Sequence, residues 1–234
     1  MSARKIVTIH QPNYLPYLGF FYKMREADEF IIYDSAQFVK GRIDNRQRIR
    51  TNQGWTWLTI PVKHYLLPFN KAEISHDSTS NKLSWNEKHW TVIESSYKKT
   101  PHFQKYEAQL RTLFLRSKQT TLAEWDTPFI EFLKTAFGLK HTLSLFSSLD
   151  IPDNEGQSEK LAIATEKLGG TIYLSGPSGK KYLDYAPFEK RGIEVQFTQF
   201  HHPEYQQYHS RFDNKFEPNM AALDALFNIG ALPD

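Results

Sequence analysis

Cysteine is missing from this sequence altogether. No disulfide can staple the chain, no thiolate can hold zinc, and no cysteine can act as a nucleophile. A long apolar run is missing too. The stretch Ile6 to Ile9 stops at His10–Gln11–Pro12–Asn13, too short for a signal-peptide core, and nothing approaches the ~20 apolar residues that span a bilayer. The reading is a cytoplasmic protein with no membrane insertion. The third absence is a surplus of one charge. Twenty-nine Lys and Arg against 26 Asp and Glu leave a net charge of +3. That is little for a nucleic-acid binder, whose affinity rests on neutralising phosphates, so no nucleic-acid partner is expected. HExxH, GxSxG and the P-loop spacing are also absent, which argues against a zinc peptidase, a serine elbow and a Walker-type nucleotide site.

What is present fits a folded protein of ordinary composition. The 234 residues are 40% hydrophobic and 24% charged, enough chain to bury a sizeable core. Aromatics are enriched: 17 Phe, 12 Tyr and 5 Trp, 15% of the chain. Most suit a Phe-rich core with Tyr at its edge, and the same rings stack on sugars or bases.

The opening reads strand, tight loop, helix, strand. Lys5 to His10 is β-rich, and Leu18, Phe21, Tyr22 and Met24 or Arg25 fall at helical spacing. Phe30 to Tyr33 is a second apolar run, so the unit predicts a parallel pair with a right-handed crossover. Trp55 to Lys63 predicts a further strand that pairs with Arg46 to Arg50 across Asn52–Gln53–Gly54. Three helices follow. Ser84 with Glu87 and Thr121 with Glu124 have capping-box spacing, Phe103, Tyr106, Leu110 and Leu113 mark the helix between, and Gly138 ends the third. After these, Thr142 to Leu149, Thr171 to Leu174 and Ile193 to Phe200 read as strands, with a helix from Ser158 to Leu168. A last helix runs from Asn219 to Asn228, with Gly230 just past it. The expectation is an α/β fold, a parallel or mixed sheet flanked by helices and Rossmann-like. It forms a single domain over residues 1–234, with a helical insertion at about 84–140.

Five segments could carry chemistry. His10, Gln11, Asn13 and Tyr14 follow the first strand and precede a helix, the place where open α/β sheets bind ligands; they either build a site or cap the helix. Arg46, Arg48 and Arg50 alternate on a strand and share one face, either a phosphate grip or a charged edge, with Asn45 beside them. Ser175 to Lys181 is a small, basic loop leading to Tyr182. His201 and His202 point to opposite sides of an extended chain and make a poor chelate, so no metal site is expected; Glu204, Tyr205 and Gln206 read as a polar pocket wall. In the last helix, Asp224 and Asn228 lie four apart beside the face of Met220, Leu223, Leu226 and Phe227. A carboxylate there is either a general base or a structural anchor.

The segments IHQPNYLPYLGFFYKMREADEFIIYD, NRQRIRTNQGWTWLTIPV, YLSGPSGKKYLDYAPF and HPEYQQYHSRFDNKFEPNMAALDALFNIG together resemble the WbqC-like family over almost the whole chain. Met220, Ala221 and Ala222 depart from its pattern in a way that alters packing more than chemistry. The positions that match its motifs are His10, Gln11, Asn13, Tyr14, Asn45, Arg46, Tyr182, Asp224 and Asn228. Members occur in O-antigen and other surface-polysaccharide clusters, so the resemblance implies transfer of an aminoacyl (glycyl-like) or acyl group to a nucleotide-linked amino sugar. The partners are then a nucleotide sugar and an acyl donor. No cofactor is named by the sequence. In this reading His10 or Asp224 is the base, the arginines hold the diphosphate, and Gln11 or Asn13 faces the developing oxyanion. Two other readings stand beside it: an ATP-using nucleotidylyl-transferase-like ligase, and a non-catalytic sugar-nucleotide binder.

Overall fold

The computed structural model describes residues 4–76, 83–116, 119–208 and 215–233. In chain order the elements begin with β1 (Ile6–His10), α1 (Leu18–Arg25), β2 (Glu29–Ile32), β3 (Arg46–Thr51) and β4 (Gly54–Thr59). They continue with α2 (Trp85–Tyr97), α3 (Phe103–Phe114), α4 (Leu122–Ala136), β5 (Leu143–Leu145) and α5 (Gln157–Lys167). The last are β6 (Ile172–Ser175), α6 (Ala186–Glu189), β7 (Glu194–Phe197) and α7 (Ala222–Ile229). The chain divides into two units. One is Met1–Gln11, Gly19–Ala36 and Lys140–His201; the other is Pro12–Leu18, Gln37–Leu139 and His202–Asp234.

The first unit holds a five-stranded sheet in the order β5-β2-β1-β6-β7, every pair parallel. Its strands are short and apolar because both faces are covered: Val7, Ile9, Ile31 and Tyr173 pack with Phe146, Leu161 and Phe188 on one face, and Thr8, Phe30, Ile32 and Leu174 are buried on the other. From β1 the chain steps outward through β2 to β5, then returns to the other side of β1 for β6 and β7. This is a Rossmann-like α/β arrangement, and the reversal between β1 and β6 is its topological switch point. Close packing there demands glycine: a Cβ on Gly170 would stand 2.6 Å from Val7 Cγ2 and 2.8 Å from Thr165 Cγ2. The expected strands at Thr142 to Leu149 and Ile193 to Phe200 are shorter here. A 3-10 turn, Phe146–Leu149, closes the former, and the latter is the four-residue β7.

The second unit is built on the β3–β4 hairpin and four helices. The hairpin register runs from Arg46↔Thr59 to Thr51↔Gly54. Both capping boxes form: Ser84 N–H donates to Glu87 Oε2 at 2.8 Å, and Thr121 N–H donates to Glu124 Oε2 at 3.2 Å. Gly138 ends α4 at φ +72°, a left-handed conformation that glycine adopts without strain. The core is a chain of rings, with Phe114 and Phe129 4.8 Å apart and Phe103 and Phe227 5.2 Å apart. Every residue of α7 from Ala222 to Asn228 is buried, so this helix lies inside the unit instead of covering it. Its start is fixed by Ala221 N–H to Arg48 O and Ala222 N–H to Pro16 O, both 2.8 Å. Among the described residues no helix is long and apolar enough to cross a membrane.

Candidate functional site

In the sheet unit, polar groups gather at the carboxyl end of β1. The β1–β2 pairing extends to His10↔Ile32, but β1–β6 pairing ends at Val7↔Tyr173. Beyond that point side chains replace the ladder. Thr8 Oγ1 donates to Leu174 O at 2.7 Å, and Lys23 Nζ donates to Ile9 O at 3.2 Å. His10 Nδ1 lies 2.9 Å from Gln11 O, which only accepts, so Nδ1 carries the proton and Nε2 is the free base. Its ring meets the edge of Phe20 at 4.8 Å.

The electrostatics here divide two groups that the sequence does not rank. Burial, helped by the Lys23 charge, brings the His10 pKa down to about 3. His10 is therefore neutral at physiological pH, and a weak base. Lys23 is 4% exposed, and burial brings its pKa down to about 7, with Glu26 acting in the opposite direction. A sizeable share of Lys23 is thus uncharged amine near neutral pH, a far stronger base than His10. Ser175 ends β6 nearby in the same unit and is buried. The following Ser175 to Lys181 segment is not an open loop. Pro177–Lys181 winds into a 3-10 turn with Gly179 packed on Ser175, Leu183 and Phe197. Tyr182, just past it, is 57% exposed.

In the helical unit, Asn13 and Tyr14 are both buried, and the chain between Tyr14 and Pro16 turns through Leu15 at φ +44°, unusual for a residue with a branched side chain. Tyr14 N–H donates to Asp44 O at 3.0 Å. The Tyr14 hydroxyl donates to His89 Nδ1 at 2.8 Å, because the other His89 nitrogen is taken by the carbonyl of Thr59. Burial lowers the His89 pKa to about 4.

The three arginines do share one hairpin face, but they are not equivalent. Arg46 lies over Trp57 at 4.6 Å and donates to Gly41 O; Arg48 lies over Trp55 at 5.0 Å and donates to Pro218 O. Arg50 is buried and clamps main chain, donating to Gly54 O and Lys215 O at 3.3 Å each. Asn45 Nδ2 donates to Ile60 O at 2.7 Å and so closes the open end of the hairpin. Arg46 and Arg48 keep the exposed guanidinium surface that a phosphate contact needs.

Asp224 sits completely buried in α7, and three side chains donate to it. Tyr97 reaches Oδ1 at 3.0 Å, while Tyr205 and Gln207 reach Oδ2 at 2.7 and 2.8 Å. Burial raises its pKa, while the three donors and the Arg50 charge pull the other way. Asn228 does not orient this carboxylate. Its Nδ2 donates to the Asp224 main-chain oxygen at 2.7 Å, and its Oδ1 accepts from Tyr208 N–H at 3.0 Å. Gln206 is exposed, and its neighbour Gln207 makes the contact, because alternate residues of the extended segment face alternate sides.

A model of the WbqC-like protein family matches residues 11–232. The chain belongs to the WbqC-like family. A second protein similar to it is the uncharacterized Rv1507c of Mycobacterium tuberculosis, 32% identical over 227 residues that cover 97% of this chain and 95% of that one. No solved structure matches the chain. Against this member's sequence, the groups that pattern reading passes over are Lys23, His89, Tyr97, Asp126 and Gln207. Lys23 and Asp126 carried a legible signal, a charge at a buried turn of an otherwise apolar helix face: Asp126 stands with Leu122, Phe129, Ile130 and Leu133. Tyr97, His89 and Gln207 carried none, since their partners lie far away in sequence. Among the described residues no group of three or more His, Asp or Glu is placed to hold a metal ion.

Proposed function

We propose that this WbqC-like protein is a transferase that places an aminoacyl or acyl group on a nucleotide-linked amino sugar in surface-polysaccharide synthesis. The observation that supports it best is the end of β1–β6 pairing at the switch point, with the buried amine of Lys23 on the carbonyl of Ile9 just beyond it. Nucleotide-type ligands occupy that crevice in open parallel sheets. Lys23 in its amine form takes a proton from the sugar ammonium, and the freed amine attacks the carbonyl carbon of the acyl donor. A C–N bond forms, the bond from acyl carbon to the donor's leaving group breaks, the proton shed by the attacking nitrogen passes to that leaving group, and Lys23 releases the first proton to solvent. The Gln11 amide is the neutral donor for the developing oxyanion. With no Cys and no serine elbow, direct attack by the amine is more economical than an acyl-enzyme. Such chemistry uses nucleotide-activated sugars and belongs in the cytoplasm.

The test is to incubate the protein with nucleotide-linked amino sugars and activated aminoacyl or acyl donors, and to follow the mass of the sugar nucleotide. Gain of one acyl or aminoacyl group, lost in Lys23→Met, supports the reading. Saturable binding without turnover for every donor moves the protein to the binder class. The same parallel sheet, with β1 ending in His10, also favours an ATP-using ligase. Product formation that requires ATP and releases pyrophosphate would select that reading.

A further inference from the structure

Unpartnered polar atoms mark a second place in the helical unit. Asp126 Oδ1 and Oδ2, Trp85 Nε1, Trp125 Nε1 and Asn13 Oδ1 are all buried with no hydrogen-bond partner. Buried polar groups are nearly always paired, so a concentration of exceptions asks for an occupant. Four of the five atoms belong to α2 and α4, and Asn13 precedes Tyr14, which packs against both helices. The rings form one connected wall. Trp85 lies 4.6 Å from Trp125 and 5.2 Å from His89, Trp125 lies 5.8 Å from Phe129, and Tyr14 lies 6.2 Å from Phe129.

The neighbours of Asp126 cannot satisfy it. The Tyr14 proton is committed to His89, and neutral His89 is committed to Thr59. Arg116 is near enough to act on Asp126 electrostatically, but its Nε and Nη2 donate to the carbonyls of Leu113 and Trp125 at 2.8 and 2.9 Å. Its guanidinium also lies over Trp125 and Phe129. Asp44, the remaining charge that acts on Asp126, is a second acid. What Asp126 and Asn13 lack is a donor: the Trp85 and Trp125 N–H groups reach neither, and a compact cation with several hydrogens would supply it. Carboxyl oxygens, a side-chain amide oxygen and aromatic rings are the surroundings in which an ammonium group is stable.

We propose that Asp126 and Asn13, walled by Tyr14, Trp85, Trp125 and Phe129, bind the primary ammonium group of a small ligand. The cage does not depend on the transferase reading. If that reading holds, the ammonium is that of an aminoacyl donor, because the amino sugar's ammonium is the group that Lys23 deprotonates. Binding also moves a proton. In the empty cage burial holds the Asp126 carboxyl well above the usual carboxylate range, with Arg116 opposing and Asp44 adding to the rise. An arriving ammonium stabilises the Asp126 carboxylate and draws its pKa back down, so protons leave as the ligand binds wherever the pH lies between the two values. Affinity then rises with pH, by about tenfold per unit between the bound and empty pKa values.

The experiment titrates the full-length protein with glycine methyl ester and with D-glucosamine, reading tryptophan fluorescence and calorimetry in two buffers of different ionisation heat. N-acetyl-D-glucosamine, which lacks the ammonium, is the control. The expected result is saturable binding of an ammonium probe with net proton release, none for the acetylated sugar, and loss of binding in Asp126→Asn. Binding of the ester assigns the cage to the donor; binding of glucosamine alone keeps the ammonium cage but is incompatible with Lys23 as the base toward the acceptor sugar. Equal binding of the acetylated sugar, or no response to either ammonium probe, overturns the proposal. The proton count comes from the unmutated protein, so it stands even where Asp126→Asn folds poorly. Turnover kept while no ammonium probe binds sinks the cage alone; ammonium binding without turnover sinks the transferase reading alone.

Discussion

Asp126 and Asp224 are both buried in the helical unit, and they could hardly be kept differently. Asp224 in α7 receives three side-chain donors, whereas Asp126 in α4 receives none. Both are fully buried, and burial raises the pKa of both. What separates them is saturation. A carboxylate whose lone pairs are filled by the chain itself is a cross-link, and one left without partners has capacity for something from outside. Burial alone does not distinguish an anchor from a site.

The largest effect expected from breaking this comparison is at the anchor. Asp224→Leu strands two tyrosine hydroxyls and one amide in the interior, and should cost about 3–5 kcal/mol in denaturant unfolding. Asp224→Asn keeps the shape and separates the remaining possibilities. A drop in melting temperature with the rate per folded molecule unchanged marks a cross-link, while a rate about 100-fold lower at unchanged stability marks a base.

Next in size is Lys23→Met, which replaces a buried amine with an apolar chain of similar length. We expect turnover to fall about 100-fold while stability at pH 7 holds or rises. The pH dependence follows from the sign of the shift. The folded pKa of about 7 lies below the ordinary 10.5, so between these values the unfolded chain binds more protons, and wild-type stability climbs with pH across that window. Lys23→Met should flatten the climb. A slope that survives the substitution removes Lys23 as its cause.

Arg46→Ala is expected to weaken nucleotide-sugar binding by about 1–3 kcal/mol in calorimetry, and to cost only about 0.5–1 kcal/mol of stability through the lost contact with Trp57. Unchanged affinity would return the hairpin face to a purely structural role. Smallest is Asp126→Asn. Because no partner is lost and an acid that burial penalises is removed, its unfolding free energy at pH 7 should hold or rise, against the several kcal/mol lost at Asp224. A large loss there would erase the contrast between the two acids.

Much of the architecture was legible in the residues. The strand–loop–helix–strand opening, both capping boxes, the β3–β4 pairing and the glycine stop after α4 depend on contacts within a few residues, where periodicity and turn chemistry act. So do the positions of His10 at a strand end and of the three arginines on one face. The strand ends were less legible: β7 stops at Phe197 because pairing with β6 ends there, a long-range event that leaves no local mark.

The sequence by itself determined the α/β alternation, the absence of cysteine chemistry, and which polar residues stand beside apolar runs. Only the tertiary structure decided which of them matter and how. It turned Arg50 into a clamp and left Arg46 and Arg48 partly exposed, gave Gln207 the contact that Gln206 was expected to make, and showed Lys23 to be a stronger base than His10. The reason is physical: desolvation and hydrogen-bond saturation are set by atoms from distant segments, so the same Asp side chain is anchored at 224 and unpartnered at 126.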